Sequence, residues 1–148
     1  MRLTILSPLC LVLVLAGLCT PAVARVFIGV VKTIEGGAVI ERKGETIPVV
    51  TGMEIRQADT IKTDRHGYVG LVFSDDTRIS MGPNTEIAVD DYLFQPLDKR
   101  LSFIVRLIRG TVSFISGQIT RLAPESVQLV MPEATIGVRG THVLVKVD

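Results

Sequence analysis

From residue 26 onward the apolar positions come in short runs with a period near two, each closed by glycine, proline, asparagine or aspartate. A period of two places successive side chains on opposite faces of a strand. The pattern predicts strands over Val26–Ile34, Ala38–Arg42, Ile47–Val50 and Thr60–Thr63, with turns at Gly36-Gly37, Lys43-Gly44 and Gly52. Tyr68–Phe73 puts Val69, Leu71 and Phe73 on one face and Tyr68, Gly70 and Val72 on the other. Ser74-Asp75-Asp76 then turns the chain and Thr77–Met81 returns, which is a hairpin pattern. Gly82-Pro83-Asn84 turns it again into Thr85–Val89.

Beyond that point the pattern is less uniform. Leu101, Ile104, Val105 and Ile108 fit a helix stripe, while Leu101, Phe103, Val105 and Leu107 alternate as a strand; the strand reading is preferred. Thr111–Ile115 follows Gly110 as a further strand. Ser116–Pro124 has no clear period and is expected to hold one helical turn. Val127–Met131 and Gly140–Val147 complete the strands. Asp90–Lys99 is the longest irregular polar stretch and is predicted to be a surface loop within one domain.

Composition supports strands. Residues 25–148 hold 17 Val and 13 Ile against 8 Leu and 5 Ala, and β-branched side chains favour the pleated backbone. The expected fold is all-β: many short antiparallel strands and hairpins in a compact sandwich or solenoid-like domain.

The first 24 residues differ from the rest. Arg2 is their only charge, an apolar run from Ile5 to Leu18 follows, and Ala22-Val23-Ala24 has the small-x-small form of a cleavage site. That order is expected of a secretory signal peptide, leaving a domain of residues 25–148. The apolar run is short for a membrane span. An uncleaved anchor and a lipoprotein are the alternatives; Leu18 stands where a lipid-attachment box would have a small residue before Cys19. Both cysteines, Cys10 and Cys19, fall in this segment, so no disulfide is expected in the domain. The protein is expected to be periplasmic or secreted, with no membrane span after signal removal.

Charge narrows the function. Beyond residue 24 there are 15 basic and 15 acidic side chains, without the basic excess usual for a nucleic-acid partner. His66 and His142 are far apart and neither sits in a metal-ligand motif. No nucleophile elbow, Ser-His-Asp grouping or phosphate loop can be read. The pairs Asp75-Asp76 and Asp90-Asp91 lack the alternating acids of a calcium loop and suit turns instead. Tryptophan is absent, and the five Phe read mostly as core. No catalytic residue, metal or cofactor is expected, and the weight moves from an enzyme to a binding or interaction module.

Three stretches of the chain belong together. The first is Gly52-Met53-Glu54-Ile55 with Asp59-Thr60-Ile61-Lys62-Thr63. The second runs from Gly67 through Phe73-Ser74-Asp75-Asp76-Thr77 to Gly82-Pro83-Asn84-Thr85. The third is Leu107-Ile108-Arg109-Gly110-Thr111-Val112 with Pro132-Glu133-Ala134-Thr135-Ile136-Gly137-Val138-Arg139-Gly140-Thr141. Together they resemble the FecR-type periplasmic domain, and the resemblance spans about residues 27–147. Asp76 departs from it, since the family pattern usually has Gly there; a turn other than type I′ is therefore expected.

The resemblance implies an exported, non-catalytic domain that contacts a protein partner in envelope signalling. In similar proteins the domain lies below a TonB-dependent receptor and a membrane helix joins it to an anti-sigma segment. Neither that helix nor that segment is recognisable here. A structural envelope domain binding glycan or peptidoglycan is the alternative, and a hydrolase with an unrecognised site is a third reading. Among the motif residues, Gly82, Gly110 and Gly140 are expected at turns or close-packed positions. Arg139 is expected to be partly buried and paired with Asp59 or Asp75, or else to contact a ligand or partner directly.

Export is testable. Mass spectrometry of the protein from the periplasm is expected to give a chain beginning at Arg25. A chain that retains Cys19, or carries lipid on it, would overturn this.

Overall fold

The structure is a computed structural model, and it describes residues 26–148. The expected signal segment, residues 1–24, lies outside the described residues. The strands are β1 (Gly29–Glu35), β2 (Ala38–Arg42), β3 (Glu45–Pro48), β4 (Glu54–Ile55), β5 (Thr60–Thr63), β6 (Tyr68–Phe73), β7 (Arg78–Met81) and β8 (Glu86–Gln95). A 3-10 turn at Pro96–Asp98 leads into β9 (Arg100–Ile115). The short helix α1 (Gln118–Leu122) and a second 3-10 turn at Pro124–Ser126 precede β10 (Val127–Val130), β11 (Thr135–Gly137) and β12 (His142–Val147). The domain is all-β, as its composition predicts.

The strands form one sheet in the order β3-β2-β5-β8-β9-β7-β6-β1-β4. Every neighbouring pair along this order is antiparallel. β10 joins the other edge of β9 in parallel and carries β11, and β12 joins that same edge antiparallel. β9 is 16 residues long and belongs to both halves of the sheet. Its first part, Arg100–Arg109, lies between β8 and β10. Its last part pairs with β7 and β12. The sheet curls so that both halves turn their apolar faces into one core.

The bend in β9 has a local cause. Glu86 pairs with Arg109 but Ile87 with Leu107, so Ile108 is an extra residue that bulges the strand. Gly110 follows at φ +94°, a conformation that L side chains rarely adopt. A Cβ on Gly110 would also fall onto the backbone and hydroxyl of Thr85.

The core is aromatic where the halves meet. Phe73 and Phe114 come from one half, Tyr92 and Phe103 from the other. The Phe103 ring centroid lies 4.7 Å from Phe73, 4.9 Å from Tyr92 and 5.8 Å from Phe114. Such tilted and edge-on contacts add to the burial of the rings themselves. Val69, Leu71 and Phe73 are buried and Tyr68 is exposed, which is the split that the alternation predicts.

Two expectations need correction. Asp90–Lys99 is not a loop: β8 continues through Gln95, and only the 3-10 turn and Lys99 remain irregular. The register shifts between Val89 and Asp91, so the inward positions change from Ile87 and Val89 to Tyr92. That bulge breaks the period of two and hides the strand. Val26–Ile34 is also displaced: pairing of β1 begins at Gly29 and runs to Glu35. The stretch Leu101–Ile108 is strand, and the expected helical turn after Ser116 is α1.

The hairpin between β6 and β7 shows how Asp76 replaces a glycine. Asp76 sits at φ +67° and its N–H donates to the Phe73 carbonyl at 3.0 Å. Asp75 keeps a negative φ, so the turn is not type I′, which needs positive φ at both central residues.

The Gly110→Ala protein is expected to lose about 3 kcal/mol of stability, from strain at positive φ and the contact with Thr85. Gly137 has open space around it and an ordinary φ, so Gly137→Ala is expected to stay within about 0.5 kcal/mol of the parent. Urea unfolding of the three proteins checks both.

Candidate interaction surface

The motif residues separate into a buried set and an exposed set. Asp59, Thr63, Phe73, Asp75 and Thr77 are buried. Pro132, Arg139, Gly140 and Thr141 are exposed or nearly so.

Asp59 closes the turn before β5. Its carboxylate accepts from the N–H of Arg56, three residues earlier, at 2.8 Å. It also accepts two bonds from Arg42 at the end of β2, from Nε at 2.8 Å and Nη2 at 2.6 Å. Arg42 Nη2 reaches the Glu54 carbonyl at 2.9 Å as well. A planar guanidinium matches a carboxylate in this two-point way and a lysine does not. The bond to Asp59 holds the Arg42 pKa above its ordinary value, against the opposing effect of burial.

Asp75 is fully buried and, among the described residues, has no cation at hydrogen-bond distance. Four donors satisfy it instead. Oδ1 accepts from the Tyr92 hydroxyl at 3.1 Å and the Thr77 N–H at 3.3 Å. Oδ2 accepts from the Thr77 hydroxyl at 2.7 Å and the Ile119 N–H at 3.2 Å. The Asp75 N–H donates to the Tyr92 hydroxyl oxygen at 2.9 Å, and its carbonyl accepts from Gln118 N–H at 2.7 Å. One residue thus ties the β6–β7 turn, β8 and the first turn of α1. Burial, and then the Asp75 charge, push the Tyr92 hydroxyl well above its ordinary pKa.

Thr63 and Thr85 join three turns. The Thr63 hydroxyl donates to the Gly82 carbonyl at 2.7 Å and accepts from the Thr85 N–H at 2.9 Å. The Thr85 hydroxyl accepts from the Thr111 N–H at 3.0 Å, beside Gly110, and the Gly82 N–H reaches the Thr111 carbonyl at 3.0 Å. Gly82 has an ordinary φ and only ordinary contacts, so its place here comes from its backbone bonds.

Arg139 requires a correction. It is exposed, and neither Asp59 nor Asp75 is its partner: Arg42 holds the first, and neutral donors hold the second. Val138 beside it is buried, which gives the segment its apolar character, while Arg139 itself is exposed. Gly140 meets nothing within 4 Å of a notional Cβ and has no positive φ, so it is not close-packed. Its carbonyl accepts from the Ser116 hydroxyl, and the Thr141 carbonyl accepts from the Ser116 N–H at 3.0 Å.

The exposed set is contiguous. Residues 133–137 are all exposed, only Val138 is buried, and residues 139–142 are exposed again. A depression of about 430 Å³ opens between the Met131–Ala134 turn and Lys146–Asp148 at the end of β12. The two outer faces of the sheet arrange their charges differently. Outside the β2–β5–β8–β9 half, Lys62 bridges Glu41 at 2.7 Å and Glu86 at 3.3 Å, and Arg106 bridges Asp90 at 2.7 Å. Outside the other half, the registers align Thr33, Gly70, Ser80, Ser113 and Leu144 in one uncharged row. Ile115 and Tyr68 are exposed on that same face.

Chemistry on this surface is sparse. His142 Nε2 and the Ser113 hydroxyl are 2.7 Å apart, without an acidic group hydrogen-bonded to the histidine among the described residues. No group of three or more His, Cys, Asp or Glu among the described residues could hold a metal ion. No described helix is long and apolar enough to cross a membrane.

The FecR family's sequence model, described as FecR protein, matches residues 59–148. The chain belongs to the FecR family. FecR domains are signalling and regulatory domains associated with the cell envelope, and FecR proteins act there with protein partners. No curated protein and no solved structure matches the chain at a significant level. The match begins at Asp59, so β1–β4 lie before it. They are nevertheless part of the same sheet: β1 covers β6 and β2 covers β5.

Sequence reasoning misses Arg42 and Tyr92. Arg42 lies 17 residues before Asp59 and belongs to no motif; its one signal is its place at the end of a strand. Tyr92 lies in the segment that the pattern predicts to be a loop.

Two arginines should therefore behave oppositely. Arg42→Ala leaves a buried carboxylate short of two donors and is expected to cost about 2–3 kcal/mol. Arg139→Ala is expected to melt within about 0.5 kcal/mol of the parent. Thermal denaturation of both separates the structural arginine from the surface one.

Proposed function

We propose that the protein is an exported, non-catalytic FecR module of the periplasm that takes part in envelope signalling by binding another protein. The family membership supports the setting. The observation that carries the reading is the exposed segment 132–142. It holds the motif residues Pro132, Arg139, Gly140 and Thr141, yet contributes only Val138 to the buried core. Buried motif residues such as Asp59, Asp75 and Thr63 have a complete structural account in their hydrogen bonds. The exposed Arg139 side chain has none, and exposed arginines are common anchors for a protein partner.

The structural reading, in which the domain binds glycan, has one observation on its side. The half-exposed ring of Tyr68 borders a depression of about 200 Å³ that includes Thr33 and Ser80. A single aromatic is a small platform for a sugar, and we therefore favour a protein partner.

Chemical cross-linking of the tagged protein in its own cells, followed by purification, tests this. The expected result is one envelope protein that also binds the purified domain, with affinity reduced at least about tenfold by Arg139→Ala at unchanged melting temperature. Binding that Arg139→Ala leaves unchanged, or co-sedimentation with isolated peptidoglycan in place of a protein partner, would overturn the proposal.

A further inference from the structure

Among the described residues four strands end a sheet path, and three of them are short or guarded. β4 has two residues, β11 three, and β3 carries Glu45 and Pro48. β12 is longer: it has six residues, His142-Val143-Leu144-Val145-Lys146-Val147, no proline or bulge, and Lys146 as its one charged side chain. Exposed edges normally carry such devices, because their free amides pair readily with another chain.

The register shows which amides are free. The Ser116 N–H donates to the Thr141 carbonyl, and these two residues stand directly opposite each other when the β9–β12 ladder is continued by one pair. In an antiparallel ladder alternate residues face the partner strand. Val143, Val145 and Val147 therefore bond to β9, while the N–H and C=O of His142, Leu144 and Lys146 point to the open edge. The inner face of this edge is apolar, and the outer face carries Leu144 between His142 and Lys146. Val143, Val145 and Val147 are half-buried against the core, and Leu144 is 69% exposed on the outer face.

We propose that two copies of this chain pair antiparallel through β12, about a twofold axis at Val145, into one continuous sheet. The strand's own sequence favours a second copy as the occupant. In this register Val145 faces Val145 and Val143 faces Val147 of the second copy, so the inner face is valine against valine throughout. On the outer face Leu144 lies against the aliphatic stem of Lys146, and His142 lies opposite Asp148. No like charges stand opposite each other, and residues 142–148 carry one Lys and one Asp, so two copies do not repel. Each outward amide of His142, Leu144 and Lys146 then meets an outward amide of the second copy. An isologous contact of this kind closes as a dimer and leaves no further β12 edge.

Sedimentation velocity of the purified protein over a wide concentration series tests the pairing. The expected result is a monomer–dimer equilibrium that Leu144→Pro weakens by about tenfold or more. The proline removes an N–H that serves no bond to β9, and prolines are tolerated at such edge positions. Leu144→Lys is expected to act in the same direction and keeps the backbone intact. Cross-linking tests the register. Residues 25–148 hold no cysteine, and directly opposed residues in a non-hydrogen-bonded pair lie about 4.5 Å apart at Cα, within disulfide reach. Val145→Cys is thus expected to form a disulfide-linked dimer on mild oxidation, and Leu144→Cys is not. A protein that stays monomeric at every concentration overturns the proposal. So does a dimer that survives both Leu144 substitutions, or a disulfide-linked dimer formed by Leu144→Cys and not by Val145→Cys. None of these outcomes bears on the binding of a different protein at Arg139.

Discussion

Both halves of the sheet depend on β9. A strand of 16 residues cannot stay straight and also close a core of this size, so it must bend where its partners change. The bulge at Ile108 and the positive φ of Gly110 supply the bend. Everything on either side is registered to it: β8 and β10 before the bend, β7 and β12 after it. The turns that meet there, through Thr63, Thr85 and Thr111, bond to one another by hydroxyl and backbone and leave little slack at the corner.

Two buried carboxylates complete the frame by different means. Asp59 is neutralised by Arg42, a partner brought from another strand. Asp75 is satisfied by hydroxyls and backbone amides alone, and it thereby fixes the hairpin, α1 and Tyr92 with respect to one another. A buried carboxylate is costly unless its oxygens are bonded. The motif residues around these groups are thus accounted for by stability, without any appeal to a ligand.

That accounting leaves the surface from Pro132 to Thr141, and the strand that follows it, as the part of the motif least engaged with the core. The charge pattern points the same way. Alternating ion pairs cover one outer face of the sheet, as on an ordinary solvated surface, whereas the face that continues into β12 is uncharged along its central row.

The all-β class and most of the strands were legible in the sequence, because β-branched residues and a period of two report local backbone preference and one-sided burial. The hairpin at Asp75-Asp76 and the turn at Gly82 were legible for the same reason: turn chemistry is local. The strand through Asp90 and Asp91 was not, since a bulge shifts the inward parity there and only the partner strand β9 determines where the bulge falls. Arg139 and Arg42 show the limit most plainly. Both are arginines next to strand-forming residues, and local pattern cannot tell which one meets a carboxylate. Pairing is set by which chain ends the sheet brings together across 17 residues or more, so the tertiary structure alone turned Arg42 inward to Asp59 and left Arg139 at the surface.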